Sequence, residues 1–258
     1  MAERVDFSGK TVVVTGGGKG VGKGISERFL EQGANVVICG RSAPEDMPTA
    51  NGKEAIFKAC DVRDWEQVQN LMTFAKDSYG SLDVLVNNAG GAPFTDAATA
   101  SPRFSEKIIG LNLLAPLYCA QAANAIMQEQ ESGGAIINIA SVSALRPSPG
   151  TAAYGAAKAG LINLTSSLAV EWAPKVRLNS VAAGLIRTEQ AHLHYGDEAG
   201  IEKVSATVPL GRMASPQDIG DVCLFLGSDL SSYVTGAYIT AHGGGEKPSF
   251  LDAANAGN

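Results

Sequence analysis

The chain is short of the residues that most often announce a site. Its 258 residues hold three histidines and four cysteines. The cysteines, Cys39, Cys60, Cys119 and Cys223, form no C-x-x-C pair. That excludes a zinc-ribbon or dithiol motif and leaves buried thiols in a reducing compartment. His192 and His194 stand two apart, off a shared helix face, with no Cys or acidic residue to complete a ligand set, so no metal is expected. No G-x-S-x-G elbow occurs, which argues against a hydrolase triad. Positive charge is scarce: 20 Lys+Arg against 26 Asp+Glu give −6, which argues against nucleic acid as a partner. No stretch reaches the roughly 18 apolar residues of a membrane span, and MAERVDFSGK carries no apolar leader core. The expectation is a cytoplasmic protein with no membrane partner.

What is present is ordinary globular material, 45% hydrophobic and 18% charged, with 30 glycines. Apolar runs too short for helices alternate with helical spacings. Strands are predicted at Thr11–Thr15, Asn35–Cys39, Ala55–Cys60, Asp83–Asn87, Gly134–Ala140, Val176–Val181 and Ala237–Ala241. Helices are predicted after Gly22, from Asp64 with Trp65, Val68, Leu71, Met72 and Ala75 on one stripe, and over Ile108–Gln130, Ala152–Ala173 and Pro216–Leu226. Regular alternation implies right-handed crossovers, and so an α/β fold: a doubly wound parallel sheet of about seven strands with helices on both faces. With no repeat and no Pro/Ser/Gly-rich linker inside the chain, one domain over residues 1–258 is expected. Residues 188–212 show neither strand signal nor compact loop and read as a lid. The polar tail, residues 246–258, reads as loose or as packing on a neighbour.

The first strand runs into Gly16, Lys19, Gly20, Val21 and Gly22, then a helix. Glycines there permit a tight turn and let backbone N–H groups approach a pyrophosphate at the helix N-terminus, so the turn reads as a dinucleotide site. The spacing is Thr15-Gly16-x-x-x-Gly20-x-Gly22 rather than G-x-G-x-x-G. Further along come Asn87-Asn88-Ala89-Gly90 after the fourth strand, Asn112 in Gly-Leu-Asn-Leu, Ser141 ending the fifth strand, and Tyr154-Gly-Ala-Ala-Lys158 thirteen residues later. In these motifs, in this order from about Phe7 to Gly245, the chain resembles the short-chain dehydrogenase/reductase family in its standard-length branch. It is similar to 3-oxoacyl reductases and hydroxysteroid-type dehydrogenases.

The resemblance implies a nicotinamide-dependent oxidoreductase acting between a carbonyl and a secondary alcohol, with a tetrad of Asn112, Ser141, Tyr154 and Lys158. The residue chemistry agrees. Tyr154 and Lys158 are four apart and project from one helix face. A free Tyr has a pKa of ~10 and stays protonated at neutral pH, too high for a base there, and a neighbouring ammonium favours the phenolate by about 1–3 pK units. Tyr154 therefore reads as general acid/base and Ser141 as the group holding the substrate oxygen. By resemblance, the backbone carbonyl of Asn112 holds a water leading to Lys158. Asn88, Ala89 and Gly90 are expected beside the adenine ribose, and Asp61 and Val62 at the adenine. Gly184, Ile186 and Thr188 are expected at the nicotinamide amide and the phosphate. The family's Pro-Gly is here Ala183-Gly184, and its acidic residue before Gly-Gly is His242.

The second strand ends in Gly40 rather than an acid, and Arg41 follows. With Lys19 in the turn, this favours NADP(H), and NAD(H) is compatible because Arg41 can also stack on adenine. A rival reading is a silent nucleotide-binding sensor or scaffold on the same fold. The intact Asn112, Ser141, Tyr154 and Lys158 weigh against it. A sugar-nucleotide epimerase needs a second domain for which the chain has little room. Arg146 and Arg187 flank the expected mouth, as solvated residues or as contacts to an anionic substrate. Leu113, Leu117, Ala120 and Ala123 on one long helix, with Ala156, Ala159, Leu164, Leu168 and Val170 on the other, exceed a single core stripe. They point to a homotetramer or homodimer. The expected partner is a small-molecule ketone or alcohol.

Overall fold

A computed structural model describes residues 5–250. In chain order the elements are β1 (Thr11–Thr15), α1 (Gly20–Glu31), β2 (Asn35–Gly40), β3 (Thr49–Ala50), β4 (Lys53–Glu54), β5 (Ile56–Ala59), α2 (Trp65–Tyr79), β6 (Val84–Asn87) and α3 (Pro102–Ile109). They continue with α4 (Ala115–Met127), β7 (Gly134–Ile139), α5 (Ala152–Trp172), β8 (Val176–Ala183), α6 (His192–Tyr195), α7 (Glu198–Ser205), α8 (Pro216–Gly227) and β9 (Tyr238–Ala241). The main sheet is seven-stranded in the order β5-β2-β1-β6-β7-β8-β9, and its ladders are parallel.

Both faces of this sheet are buried, which is why its strands read as unbroken apolar runs. In β1, Val13 turns to one core layer with Leu71, Met72, Cys119 and Met127, while Val12 and Val14 turn to the other with Ile25, Phe29, Ile219 and Leu224. Each such side chain contributes about 1.5–3 kcal/mol by leaving water. All four cysteines are free and buried in these layers. Burial pushes the Cys119 and Cys223 thiols up, so they pack as inert apolar groups.

Several boundaries differ from the sequence reading. The helix expected from Ile108 starts at Pro102, because Ser101 caps it, accepting the Phe104 N–H at 3.2 Å, and proline suits the first helical position. Between α3 and α4 the chain makes a π turn, Gly110–Leu114, with Asn112 at its centre. This composite helix, Pro102–Met127, has the length and apolarity of a membrane span, unlike the sequence expectation. Its buried residues Ala115, Cys119, Ala123 and Met127 pack on the sheet, as a core helix does. Trp65, placed on the core stripe of α2, is 42% exposed and meets Tyr118 edge-on at 6.2 Å. β8 runs two residues beyond Val181. Residues 188–212 are not structureless: α6 and α7 lie there, and Ala191, Ile201 and Met213 form a small cluster of their own. Of the tail, residues 251–258 lie outside the described residues.

Candidate active site

The site lies at the carboxyl ends of the strands. β1 ends in Thr15, whose buried hydroxyl accepts the N–H groups of both Asn88 and Ala89 at 3.0 Å. Asn88 returns its amide to the carbonyls of Thr15 and Gly16, at 2.9 and 3.2 Å. The turns after β1 and β6 are thus tied across adjacent strands. Ser26 pins the first turn from within α1, donating to the carbonyls of Gly17 and Gly22.

Two glycines make the turn concave. Gly16 has φ +64, open to glycine and strained for other residues. At Gly22 a Cβ would lie 2.2 Å from the Gly16 oxygen and 2.5 Å from Asn88 Nδ2. A side chain at Gly22 would push the Gly16 backbone and Asn88 away, so only glycine keeps the turn closed against α1, the shape that leaves the α1 amides free for a dinucleotide's pyrophosphate.

One cleft of about 380 Å³ brings together Gly16, Lys19, Gly20, Val21, Gly22, Asn88, Ala89, Gly90, Ser141, Tyr154, Lys158, Gly184, Ile186 and Thr188. Asn112 is buried beneath it. Its side chain accepts the Gly91 N–H at 2.8 Å and donates to the carbonyls of Gly91 and Ile108. A Cβ on Gly90 would meet Asn112 Oδ1 at 2.6 Å and Lys158 Nζ at 3.4 Å. A π turn at this point accords with the tendency of such turns to mark functional positions.

Arg41, Asp61 and Val62 lie apart from this lining, at the ends of β2 and β5. Asp61 is clamped by Arg63 through Nε and Nη2 at 2.9 and 2.5 Å. That bond, with a smaller contribution from Arg41, holds its carboxyl down to about 2. The sequence reading missed Arg63, whose only signal was a cation two residues past Asp61.

The tyrosine–lysine pair departs from expectation. Lys158 Nζ sits 5.6 Å from the Tyr154 ring centroid and donates to the Ile139 carbonyl at 2.6 Å. Burial raises the Tyr154 pKa, opposed by a hydrogen bond from the Ser141 side chain. Burial also lowers Lys158 to about 8. The ammonium was expected to depress the phenol, whereas desolvation raises it and the opposing pull comes from Ser141.

Beyond Ser141 a second cavity, of about 300 Å³, has walls of Val142, Leu145, Leu185 and Val208 and a polar end where Arg146 Nη2 meets Glu246 Oε1 at 2.5 Å. His242 lines the same cavity. On the far side of Tyr154 a pocket of about 110 Å³ is lined by Pro93, Phe104, Ile108 and Gly150. Across the mouth, Arg187 pairs with Glu198 and Glu202 of α7.

Residues 16–246 match the family described as Enoyl-(Acyl carrier protein) reductase. A 3alpha-hydroxysteroid dehydrogenase of Mediterraneibacter gnavus is 37% identical over 242 residues, 91% of this chain and 96% of that protein. An L-rhamnose 1-dehydrogenase (NAD(P)(+)) of Azotobacter vinelandii is 36% identical over 245 residues, with the same coverage. The ligand-free aldohexose dehydrogenase of Thermoplasma acidophilum superposes with a TM-score of 0.85 at 30% identity, covering 98% of this chain and 97% of its own.

Proposed function

The chain belongs to the short-chain dehydrogenase/reductase family, whose members are NAD(P)-dependent oxidoreductases, and from that premise we propose that it interconverts a ketone and a secondary alcohol with Tyr154 as the proton-transfer group. The observation that carries this reading is the meeting of Ser141, Tyr154 and Lys158 with the glycine turn in one cleft. A nicotinamide held by the glycine turn and Lys158 would supply or take up the hydride at the substrate carbon. The chain's own residues handle the oxygen. Ser141 holds it against Tyr154. Tyr154, kept neutral by burial, has a proton to give as the carbonyl is reduced. Lys158, still largely cationic at neutral pH, stands behind it, and the family resemblance assigns the Asn112 backbone carbonyl to a water leading to Lys158. Assay of alcohols and ketones with both cofactors, followed by the absorbance of reduced nicotinamide, tests this. Turnover with no carbonyl or alcohol in such a panel would sink it.

The finer readings rest on particular residues. The aliphatic walls beside Ser141 and Tyr154, with exposed Phe94 and Leu145, support a bulky apolar ketone over a sugar. Lys19 and Arg41, with no acid ending β2, support NADP(H). Arg41→Asp is expected to move the NADP(H)/NAD(H) affinity ratio toward NAD(H) by about 10- to 100-fold, the scale of a charge-assisted hydrogen bond. Tighter NAD(H) binding in the wild type would refute the assignment without any variant. Residues 188–212 form the lid over a single dinucleotide-binding domain. Buried free thiols support a reducing, cytoplasmic setting. Val170, 80% exposed on α5, supports assembly through the long helices into a homotetramer or homodimer.

A further inference from the structure

The amides that open α1 are the part of a dinucleotide site that meets the pyrophosphate. In this chain α1 lacks the usual partners for them. Lys19 at the N-cap makes no side-chain cap, and no acidic residue stands in the first turn. A carboxylate arrives instead from the other side of the cleft. Glu189, 169 residues away, accepts the Gly20 N–H through Oε1 at 3.0 Å. It does so on the open face of the glycine. Gly20 has φ +49, and a Cβ there would lie 3.6 Å from Thr188 Cγ2 and 3.9 Å from Glu189 Oε1.

The backbone around Glu189 is anchored without this contact. Arg187 donates its N–H to the Ala214 carbonyl at 2.8 Å, and Ala214 donates to Leu185 at 2.9 Å. Ala191 is buried against Ile201 and Met213, and the Arg187 side chain pairs with α7. The exposed Glu189 side chain can therefore swing while the segment stays in place. A negative group at a helix N-terminus is favourable, and two anions cannot share one N–H.

We infer that Glu189 sets the affinity for the cofactor: its carboxylate holds the pyrophosphate position on Gly20 in the free chain and leaves it when the dinucleotide binds. This rests on reading the cleft as the NAD(P)(H) site. The contact stabilises only the free chain, so apparent affinity falls with the fraction of molecules already open. Once displaced, the carboxylate remains on a residue next to Thr188, where a bound phosphate repels it.

The test is equilibrium binding of NADPH and NADH, by fluorescence, to the wild type, Glu189→Gln and Glu189→Ala, with thermal melts as a check on folding. Both variants are expected to bind both nucleotides about two- to fivefold more tightly, the scale of one charge at a helix end. The advantage is expected to shrink with added salt, because an exposed charge is screened. Inorganic pyrophosphate, as a competitor of NADPH, is expected to gain in the same sense. Unchanged or weaker nucleotide binding in both variants overturns the inference and leaves the family assignment intact. A wild type that binds neither nucleotide overturns the inference together with the reading beneath it.

Discussion

The floor of the cleft and its rim are held by different physics. On the floor, Thr15, Asn88, Asn112 and Lys158 are buried or half-buried, and each is tied to neighbouring backbone by hydrogen bonds at 2.6–3.2 Å. On the rim, Arg187–Glu198, Arg187–Glu202 and Arg146–Glu246 join side chains that are 37–65% exposed. Water competes for every rim contact and for few of those on the floor. The floor therefore fixes geometry regardless of salt, and the rim is the part that can open. A catalytic group needs the first property, and a route for cofactor and substrate needs the second.

The comparison is broken most severely at Tyr154. Tyr154→Phe removes one proton donor and leaves the ring in place, so turnover is expected to fall ~10²–10⁴-fold while NAD(P)H binding stays within about twofold. Near-wild-type turnover would remove Tyr154 from the chemistry. Gly22→Ala attacks the floor's shape instead. Its Cβ would meet backbone oxygen at 2.2 Å, so the turn itself must shift. NAD(P)H affinity is expected to drop at least about tenfold and Tm to fall with it, because overpacking of this kind typically costs about 1–3 kcal/mol. An unchanged dissociation constant would show that the cradle does not meet the cofactor.

Lys158 sharpens the contrast, since burial there works against stability. Its pKa falls from 10.5 unfolded to about 8 folded. The folded chain thus binds fewer protons over that interval, and stability rises with pH from about 8 to 10.5. Below about 8 the whole burial cost is present, roughly 3 kcal/mol. Lys158→Met is expected to abolish turnover yet raise Tm at neutral pH by about 2–6 °C, part of the gain being offset by the lost bond to Ile139. In the wild type, ketone reduction is expected to decline as pH rises through about 8, where the cation is lost. A lower Tm in Lys158→Met would mean that the buried cation is better solvated than its surroundings indicate.

The same division decides what could be read in the sequence. The strands of the floor were legible because both faces are buried, which leaves runs such as Val12–Val14 with no polar interruption. Gly16 and Gly22 were legible because a tight turn constrains residue type at fixed spacing, Tyr154 and Lys158 because a four-residue step puts them on one helix face, and Asn88 and Ser141 through the family resemblance. The rim was not. Ala191, Ile201 and Met213 are too sparse to mark α6 and α7 as amphipathic. Glu189 and Gly20 are 169 residues apart, and no local rule joins them. The π turn around Asn112 follows from how α3 and α4 join over the sheet, which local propensity does not encode. The Tyr154 expectation failed for a related reason: spacing shows that Lys158 is near, but how dry the pair becomes is set by the whole fold.

The smallest expected effect lies on the rim, at Arg187. Its guanidinium joins Glu198 and Glu202 of α7, and all three side chains are about half or more exposed. Exposed pairs of this kind are typically worth about 0–1 kcal/mol and are screened by salt. Arg187→Ala is therefore expected to leave Tm within about 2 °C. The backbone of residue 187 remains fixed by its bond to Ala214, so the floor is undisturbed and kcat is expected to stay within about twofold. On the reading of residues 188–212 as a lid, what changes is how often α7 closes on the cleft. The KM for substrate is expected to rise about two- to fivefold, as it does when uniform binding is lost, and salt is expected to drive the wild type toward the variant. A Tm loss like that of Gly22→Ala would place Arg187 with the floor, and the boundary between the two regions would have to be redrawn inside residues 185–214.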